Sequence, residues 1–224
     1  MGDLILGLDE AGRGPVMGPM VLAGCLVEKK DEITLRRLGV KDSKLVTPNR
    51  RGFLENEIKK IAKAFEIVVC ETGEIDGAVK DGSKLTSLEA DKFAEIINQI
   101  NTGKERIKVI IDCPSIGIRS WTNLLKPKIK NLSNLDLIIE HKADRNYLSV
   151  GAASILAKAE RERRMDLLKE KYGQEIGSGY CTDPLTMRFV EKFALKYKND
   201  DLFRKSWSTW EEACEKLVQI ELNF

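Results

Sequence analysis

Histidine is almost absent from this chain of 224 residues; the single one is His141. A zinc site built on paired histidines is therefore excluded, as is acid–base catalysis by two imidazoles. A Ser-His-Asp triad would have to use His141, and no Gly-x-Ser-x-Gly turn is present to display the serine. No two of the five cysteines (Cys25, Cys70, Cys113, Cys181, Cys214) form a Cys-x-x-Cys pair. That argues against a zinc ribbon, and the odd number argues against a disulfide framework. Cys25 and Cys70 lie in apolar runs, as buried, reduced thiols of a cytoplasmic protein do. Net charge is nearly missing too: 37 basic against 35 acidic side chains leave +2. Any affinity for nucleic acid must come from local clusters. The longest apolar stretch, 16–27, is too short to span a bilayer and contains Gly18, Pro19 and Gly24. No signal-peptide pattern precedes the first strand, so a cytoplasmic protein without membrane contact is expected.

What is present is a globular balance, 42% hydrophobic and 32% charged, in a chain long enough for one sizeable core with a small appendage. Apolar runs predict strands over 4–8, 20–27, 65–70, 107–111 and 135–139, the first two joined by a short turn and hence antiparallel neighbours. Thr47-Pro48 opens a helix whose core face is Phe53, Leu54, Ile58 and Ile61. A loop is expected over 73–82. Further helices are expected over 85–100, with Leu88, Phe93, Ile96 and Ile97 buried, and over 116–129, interrupted by Pro127. A long helix over 145–172 carries the stripe Leu148, Ala152, Ile155 and Ala159, and Gly173 stops it. The small residues of its first half let it lie close to a sheet. The charged run from Lys158 through Arg164 reads as a solvated face. After Gly177-Ser178-Gly179-Tyr180 come shorter helices, over 183–198 and 209–220.

The stretch around which the chain is organised is Leu8-Asp9-Glu10-Ala11-Gly12-Arg13-Gly14-Pro15. Two acids at the end of a buried strand are costly unless something positive sits there, and oxygen ligands suit magnesium or manganese. Gly12-Arg13-Gly14 lets backbone groups approach a phosphate or a sugar. Asp112 follows the fourth strand and Asp144 the fifth, so four carboxylates can converge at strand ends. Each has a structural alternative: Asp112 as a turn cap, Asp144 as the N-cap of the long helix. Asp9 and Glu10 cannot share one face of a regular strand, so the chain must bend near Gly12 for both to serve. Four carboxylates without histidine fit phosphoryl transfer with two cations about 4 Å apart.

These blocks, with Asp42-Ser43-Lys44, Ala152-Ala153-Ser154-Ile155-Leu156-Ala157-Lys158, Gly177-Ser178-Gly179-Tyr180 and Arg204-Lys205-Ser206-Trp207, resemble the signature blocks of ribonuclease HII, most closely its archaeal type. The resemblance spans nearly the whole chain in the right order. It implies an α/β, RNase H-like fold: a mixed five-stranded sheet flanked by helices. The catalytic domain would cover 1–182 and a small helical, substrate-binding C-terminal appendage 183–224. It implies hydrolysis of RNA in RNA–DNA hybrids and incision 5′ of ribonucleotides embedded in duplex DNA, leaving 5′-phosphate and 3′-hydroxyl ends. Asp9, Glu10, Asp112 and Asp144 would be catalytic and hold two divalent ions, Mg²⁺ or Mn²⁺. Gly12, Arg13 and Gly14 would read the ribose, Tyr180 stack on a sugar, and Lys44, Lys158 and Arg204 contact the substrate.

The ending Gln219-Ile220-Glu221-Leu222-Asn223-Phe224 is similar to the peptide that docks on sliding clamps, one residue short and lacking the second aromatic. A clamp contact through 219–224 is the expectation drawn from it, beside a frayed amphipathic end. A monomer is expected. Two rival classes share the acid pattern: a DNA-only nuclease of the integrase type, and a non-catalytic hybrid-binding module whose acids hold a structural ion.

Overall fold

The computed structural model describes residues 3–40, 46–82 and 84–222. Its centre is a mixed sheet of strands β1 (Leu4–Ala11), β2 (Met20–Glu28), β3 (Ala64–Cys70), β4 (Ile107–Asp112) and β5 (Leu135–Glu140), in the order β3-β2-β1-β4-β5. β1 pairs with β2 and β2 with β3 antiparallel; β1 with β4 and β4 with β5 run parallel. The carboxyl termini of β1, β4 and β5 therefore lie at one end of the sheet.

Helices cover both faces: α1 (Glu32–Leu38), α2 (Pro48–Ile61), α3 (Thr72–Lys80), α4 (Leu85–Ile100), α5 (Ile118–Leu125), α6 (Ala143–Asn146), α7 (Leu148–Tyr172), α8 (Pro184–Phe193) and α9 (Ser208–Leu222). Side-chain alternation along β1 assigns the layers. Leu4, Leu6 and Leu8 enter a core with α4 and α5; Ile5 and Ala11 enter the opposite one, against α7 and α2. Gly7 shares the α7 side, and a Cβ there would collide with the backbone of Ser149 and Val150. The small-residue half of α7 thus lies backbone to backbone on β1, as its composition predicts. A third core joins Val16, Met17, Met165 and Ile176 to Phe189, Val190, Leu202 and Phe203 of the C-terminal appendage. No helix of the described residues is long and apolar enough to cross a membrane.

Several expectations are corrected. The 73–82 segment is mostly helix α3, because Ile75 reaches the core and Ala78 packs against it despite the glycines nearby. The 116–129 helix shrinks to α5 followed by a single 3-10 turn, Lys126–Lys128, and Ile116 stands fully in solvent. The long helix does not begin at 145: Tyr147 is extended and separates α6 from α7. Asp144 accordingly lies inside α6 and does not cap the long helix. Phe53 is exposed beneath the Arg50 guanidinium, while Arg51 and Glu55 take buried places toward α7. There Arg51 pairs with Glu162, and Arg163 holds Glu55 at 2.6 Å. Helix α1, ended by Gly39 in the left-handed region, adds an element to those the sequence predicts.

Candidate active site

The last residues of β1 and β4 and the short helix α6 deliver the acids. Ligand oxygens of Asp9, Asp112 and Asp144 all lie within 4.8 Å of one another. Asp9 and Asp144 are buried and Asp112 is partly so. The Asp112 carboxylate accepts the backbone N–H groups of Lys142 (2.8 Å) and Ala143 (3.3 Å), which ties β4 to the start of α6 and brings Asp144 in. Asp9 accepts its neighbour's amide, Glu10 N, at 2.8 Å. Ser154 of α7 hydrogen-bonds Asp9, and Lys158, one turn on, adds positive charge.

Glu10 is placed differently. β1 stays regular through Ala11, which pairs with Val21, so no bend brings both acids to one face. Asp9 faces α7 and Glu10 faces the α4 side, where Glu89 is fully buried. Glu10 remains close enough for the charges of Asp9, Glu89 and Asp112 to act on it.

Burial and like charge make this cluster unwilling to ionise. Asp9 is pushed up to about 7, first by desolvation and then by Asp112. Glu10 is raised well above the usual range, first by desolvation and then by the charges of Asp9 and Glu89, and burial lifts Glu89 to about 6 although Arg13 sits beside it. The fit to divalent cations follows from the donors: oxygens only, crowded within one coordination sphere's reach, and a buried Glu10 Oε2 without a hydrogen-bond partner among the described residues.

Next to the acids the chain turns through Gly12, at φ +77°, a backbone region that favours glycine. A side chain at Gly12 would strike Arg161 of α7. Arg13 Nε donates to Glu89 at 2.6 Å, and Gly14 faces open space. The carbonyls of this turn are taken by the far end of the chain. Arg204 donates through Nη2 to Gly12 O (2.6 Å), through Nη1 to Arg13 O (2.7 Å) and through Nε to Gly18 O (3.0 Å). Trp207 Nε1 donates to Gly14 O at 3.2 Å. Asp76 of α3 pins the same segment by accepting from Lys205 N (2.9 Å), Ser206 N (2.9 Å) and Ser206 Oγ (2.6 Å). Arg204 is fully buried, and desolvation lowers its pKa to about 9, with Arg161 contributing. As a phosphate contact Arg204 is therefore a correction: it is fully buried, and each of its guanidinium nitrogens already donates to a main-chain carbonyl.

A cleft of about 890 Å³ runs past this turn, lined by residues from Glu10 to Gly14, by α2 from Pro48 onward, and by Lys158, Arg161, Ser178 and Tyr180. Tyr180 is 40% exposed and the Arg161 guanidinium lies 5.1 Å from its ring centre. The structure thus gathers Glu10, Gly12, Arg13, Gly14, Lys158 and Tyr180 around one opening, while Asp9 meets Asp112 and Asp144 in the acid cluster next to Glu10. The Asp42-Ser43-Lys44 block, and with it Lys44, lies outside the described residues. Sequence reasoning missed Arg161, which the charged run of α7 disguised as solvated. Its guanidinium is buried, donates to Ser178 O at 3.2 Å and leaves Nε without a partner among the described residues. Glu89 and Asp76 were missed as well; neither stands in a motif, and a buried acid on an amphipathic helix has no local signature.

Comparisons with known proteins find likenesses of sequence and of fold. The family model described as "Ribonuclease HII" matches residues 6–210. A ribonuclease HII of Methanobrevibacter smithii is 40% identical over 93% of this chain and 97% of its own. The crystal structure of the ribonuclease H2 from Pyrococcus horikoshii superposes with a TM-score of 0.84 at 34% identity, covering 95% of this chain and 98% of that one. The ribonuclease HII of Archaeoglobus fulgidus, solved as a complex with PCNA, superposes with a TM-score of 0.79 at 35% identity, over 91% and 95%.

Proposed function

The chain belongs to the ribonuclease HII family, and from that premise we propose how its site works. It is a metal-dependent ribonuclease H that hydrolyses the RNA strand of RNA–DNA hybrids. The finer reading is that it also incises duplex DNA on the 5′ side of an embedded ribonucleotide and leaves 5′-phosphate and 3′-hydroxyl ends. The observation that carries this reading is the meeting of Asp9, Asp112 and Asp144, next in the chain to Glu10 and a glycine turn that line one cleft.

Asp9, Asp112 and Asp144, with Glu10 adjoining, would hold two divalent ions, Mg²⁺ or Mn²⁺. When bound, such ions supply the positive charge that a phosphodiester displacement needs at its attacking and leaving oxygens. The chain's own residues orient the substrate. The turn at Gly12, Arg13 and Gly14 offers backbone groups to the 2′-hydroxyl, and Tyr180 stacks on the next sugar. Lys158 and Arg161 meet the phosphates from the α7 wall of the cleft. Exposed Arg188, Lys192 and Lys196 recur at i, i+4 and i+8 from α8 onward, so the appendage (183–224) has a basic face for the duplex backbone. A site built to hydrogen-bond a hydroxyl rejects the deoxy analogue by about 10⁴-fold, since its polar groups are then left unpaired.

The test is cleavage of a duplex with one ribonucleotide and of the matching all-DNA duplex, with Mg²⁺ or Mn²⁺ and with product ends mapped. A cut 5′ of the ribonucleotide with 5′-phosphate and 3′-hydroxyl ends is expected, and intact DNA. Cleavage of plain DNA at a similar rate would favour an integrase-like nuclease. 2′,3′-cyclic ends would overturn the chemistry. A clamp contact through 219–224 is part of the proposal, supported by the PCNA complex of the Archaeoglobus fulgidus relative. In this chain α9 carries the segment as far as Leu222.

A further inference from the structure

The peptide units of the glycine turn have a direction, and the C-terminal segment sets it. In a trans peptide the carbonyl and the following N–H point opposite ways. Arg204 takes the carbonyls of Gly12 and Arg13, so the N–H groups of Arg13 and Gly14 are turned away from it. Both residues line the cleft, and neither N–H has an acceptor among the described residues. Trp207 takes the third carbonyl, that of Gly14, and the next residue, Pro15, has no N–H to offer. No carboxylate pairs with the Arg204 guanidinium among the described residues; its charge is met by carbonyl dipoles. Asp76 holds the intervening Lys205 and Ser206, which keeps Arg204 and Trp207 in register with the turn.

We propose that Arg204 and Trp207 are positioning residues for 2′-hydroxyl recognition: by fixing the three carbonyls of the glycine turn from behind, they aim its two free amides at the ribose. This rests on the reading of Gly12-Arg13-Gly14 as the element that faces the ribose. Lysine cannot replace Arg204, because one ammonium cannot span three carbonyls with the geometry of a planar fork.

The experiment compares the full-length protein with the R204K and W207F variants. Affinity is measured by fluorescence anisotropy in Ca²⁺ for two duplexes of one sequence, with and without a single ribonucleotide. Steady-state kinetics in Mn²⁺ and thermal melting accompany it. The ribo-to-deoxy affinity ratio is expected to fall about tenfold in R204K and about threefold in W207F, the scale of a lost or misaligned hydrogen bond. Affinity for the all-DNA duplex should stay within about twofold of wild type, because that duplex makes no use of the amides. A purely structural role would lower the melting temperature and leave the ratio alone, and that result overturns the proposal. If R204K fails to fold, W207F, which keeps an aromatic ring in the same half-buried place, decides it. A wild-type protein with no ribo preference would sink the parent reading, and this one with it. A preference that both variants retain would sink this one alone.

Discussion

Two charged clusters lie on either side of Gly12, and they solve opposite problems in opposite ways. On one side Asp9, Asp112 and Asp144 crowd within 4.8 Å, with Glu10 and Glu89 close by. On the other, Arg161 and Arg204 are buried near enough to act on each other. Arg204 is met within the protein at each guanidinium nitrogen by a main-chain carbonyl, and Arg161 by one carbonyl, that of Ser178. Among the acids, burial and mutual repulsion hold Asp9 and Glu10 toward their neutral forms. A polar cluster that the fold satisfies serves as structure, and one that it leaves frustrated is the place where a ligand does its work.

The largest expected effect breaks the acid side. Asp112→Asn keeps the shape and the acceptor for Lys142 N but removes a charge that faces the cations. Cleavage should fall by about 10³-fold or more, since several kcal/mol of charge stabilisation are at stake. The metal-free protein should melt no earlier than wild type. Steady-state rates and a melting curve check both halves; a lower melting temperature with normal cleavage would make Asp112 a structural cap.

A middle-sized effect concerns pH. The Asp9 carboxyl has an ordinary value of 3.8 and rises to about 7 in the folded, metal-free protein. Between those values the folded state holds a proton that the unfolded chain has lost. Stability of the metal-free protein is therefore greatest at low pH within this window and declines as pH rises from about 4 to about 7. Glu89, raised to about 6, acts in the same direction. Divalent cations should flatten the decline, and Asp9→Asn should remove a large part of it. Melting temperatures from pH 4.5 to 8, with EDTA or Mg²⁺, read the sign; a stability that rises with pH would refute it.

The smallest effect sharpens the arginine side by separating its two members. Arg161 lines the cleft, whereas Arg204 does not. Arg161→Met should cost little stability, because a desolvated charge with one main-chain bond is exchanged for an apolar side chain. Hybrid binding should weaken several-fold, and the log–log salt slope should drop by about 0.9, the value for one phosphate contact on B-form duplex. Anisotropy titrations over a range of salt measure the slope. An unchanged slope would assign Arg161 to the turn, as a brace for Gly12.

The contrast also explains what was legible beforehand. All five strands and the acids at their ends could be read because burial imposes apolar runs, and a run's end is visible. The closeness of α7 to the sheet could be read from Ser149, Gly151, Ala152 and Ala153. Arg161 and Arg204 could not, since their partners are backbone carbonyls, which every residue possesses and no motif advertises. The division of labour between Asp9 and Glu10 turned on whether β1 stays regular to Ala11, and its pairing with Val21 across the sheet decides that. Helix α3 was hidden by Gly73 and Gly77, whose weak helical propensity is overridden by the packing of Ile75 and by Asp76's grip on Lys205 and Ser206.

The bonds from Arg204 to Gly12 and Arg13 span more than 190 positions of the chain. During synthesis the glycine turn, with Asp9 and Glu10, leaves the ribosome that many residues before the arginine that holds it. At about 5–20 residues per second the interval is roughly 10 to 40 s. From the emergence of Asp144 onward the nascent protein has its clustered carboxylates in hand but not the brace behind its glycine turn. Emergence of Arg204 is thus a timing device: a translation product that stops between residues 144 and 204 carries Asp9, Glu10, Asp112 and Asp144 and lacks the clasp.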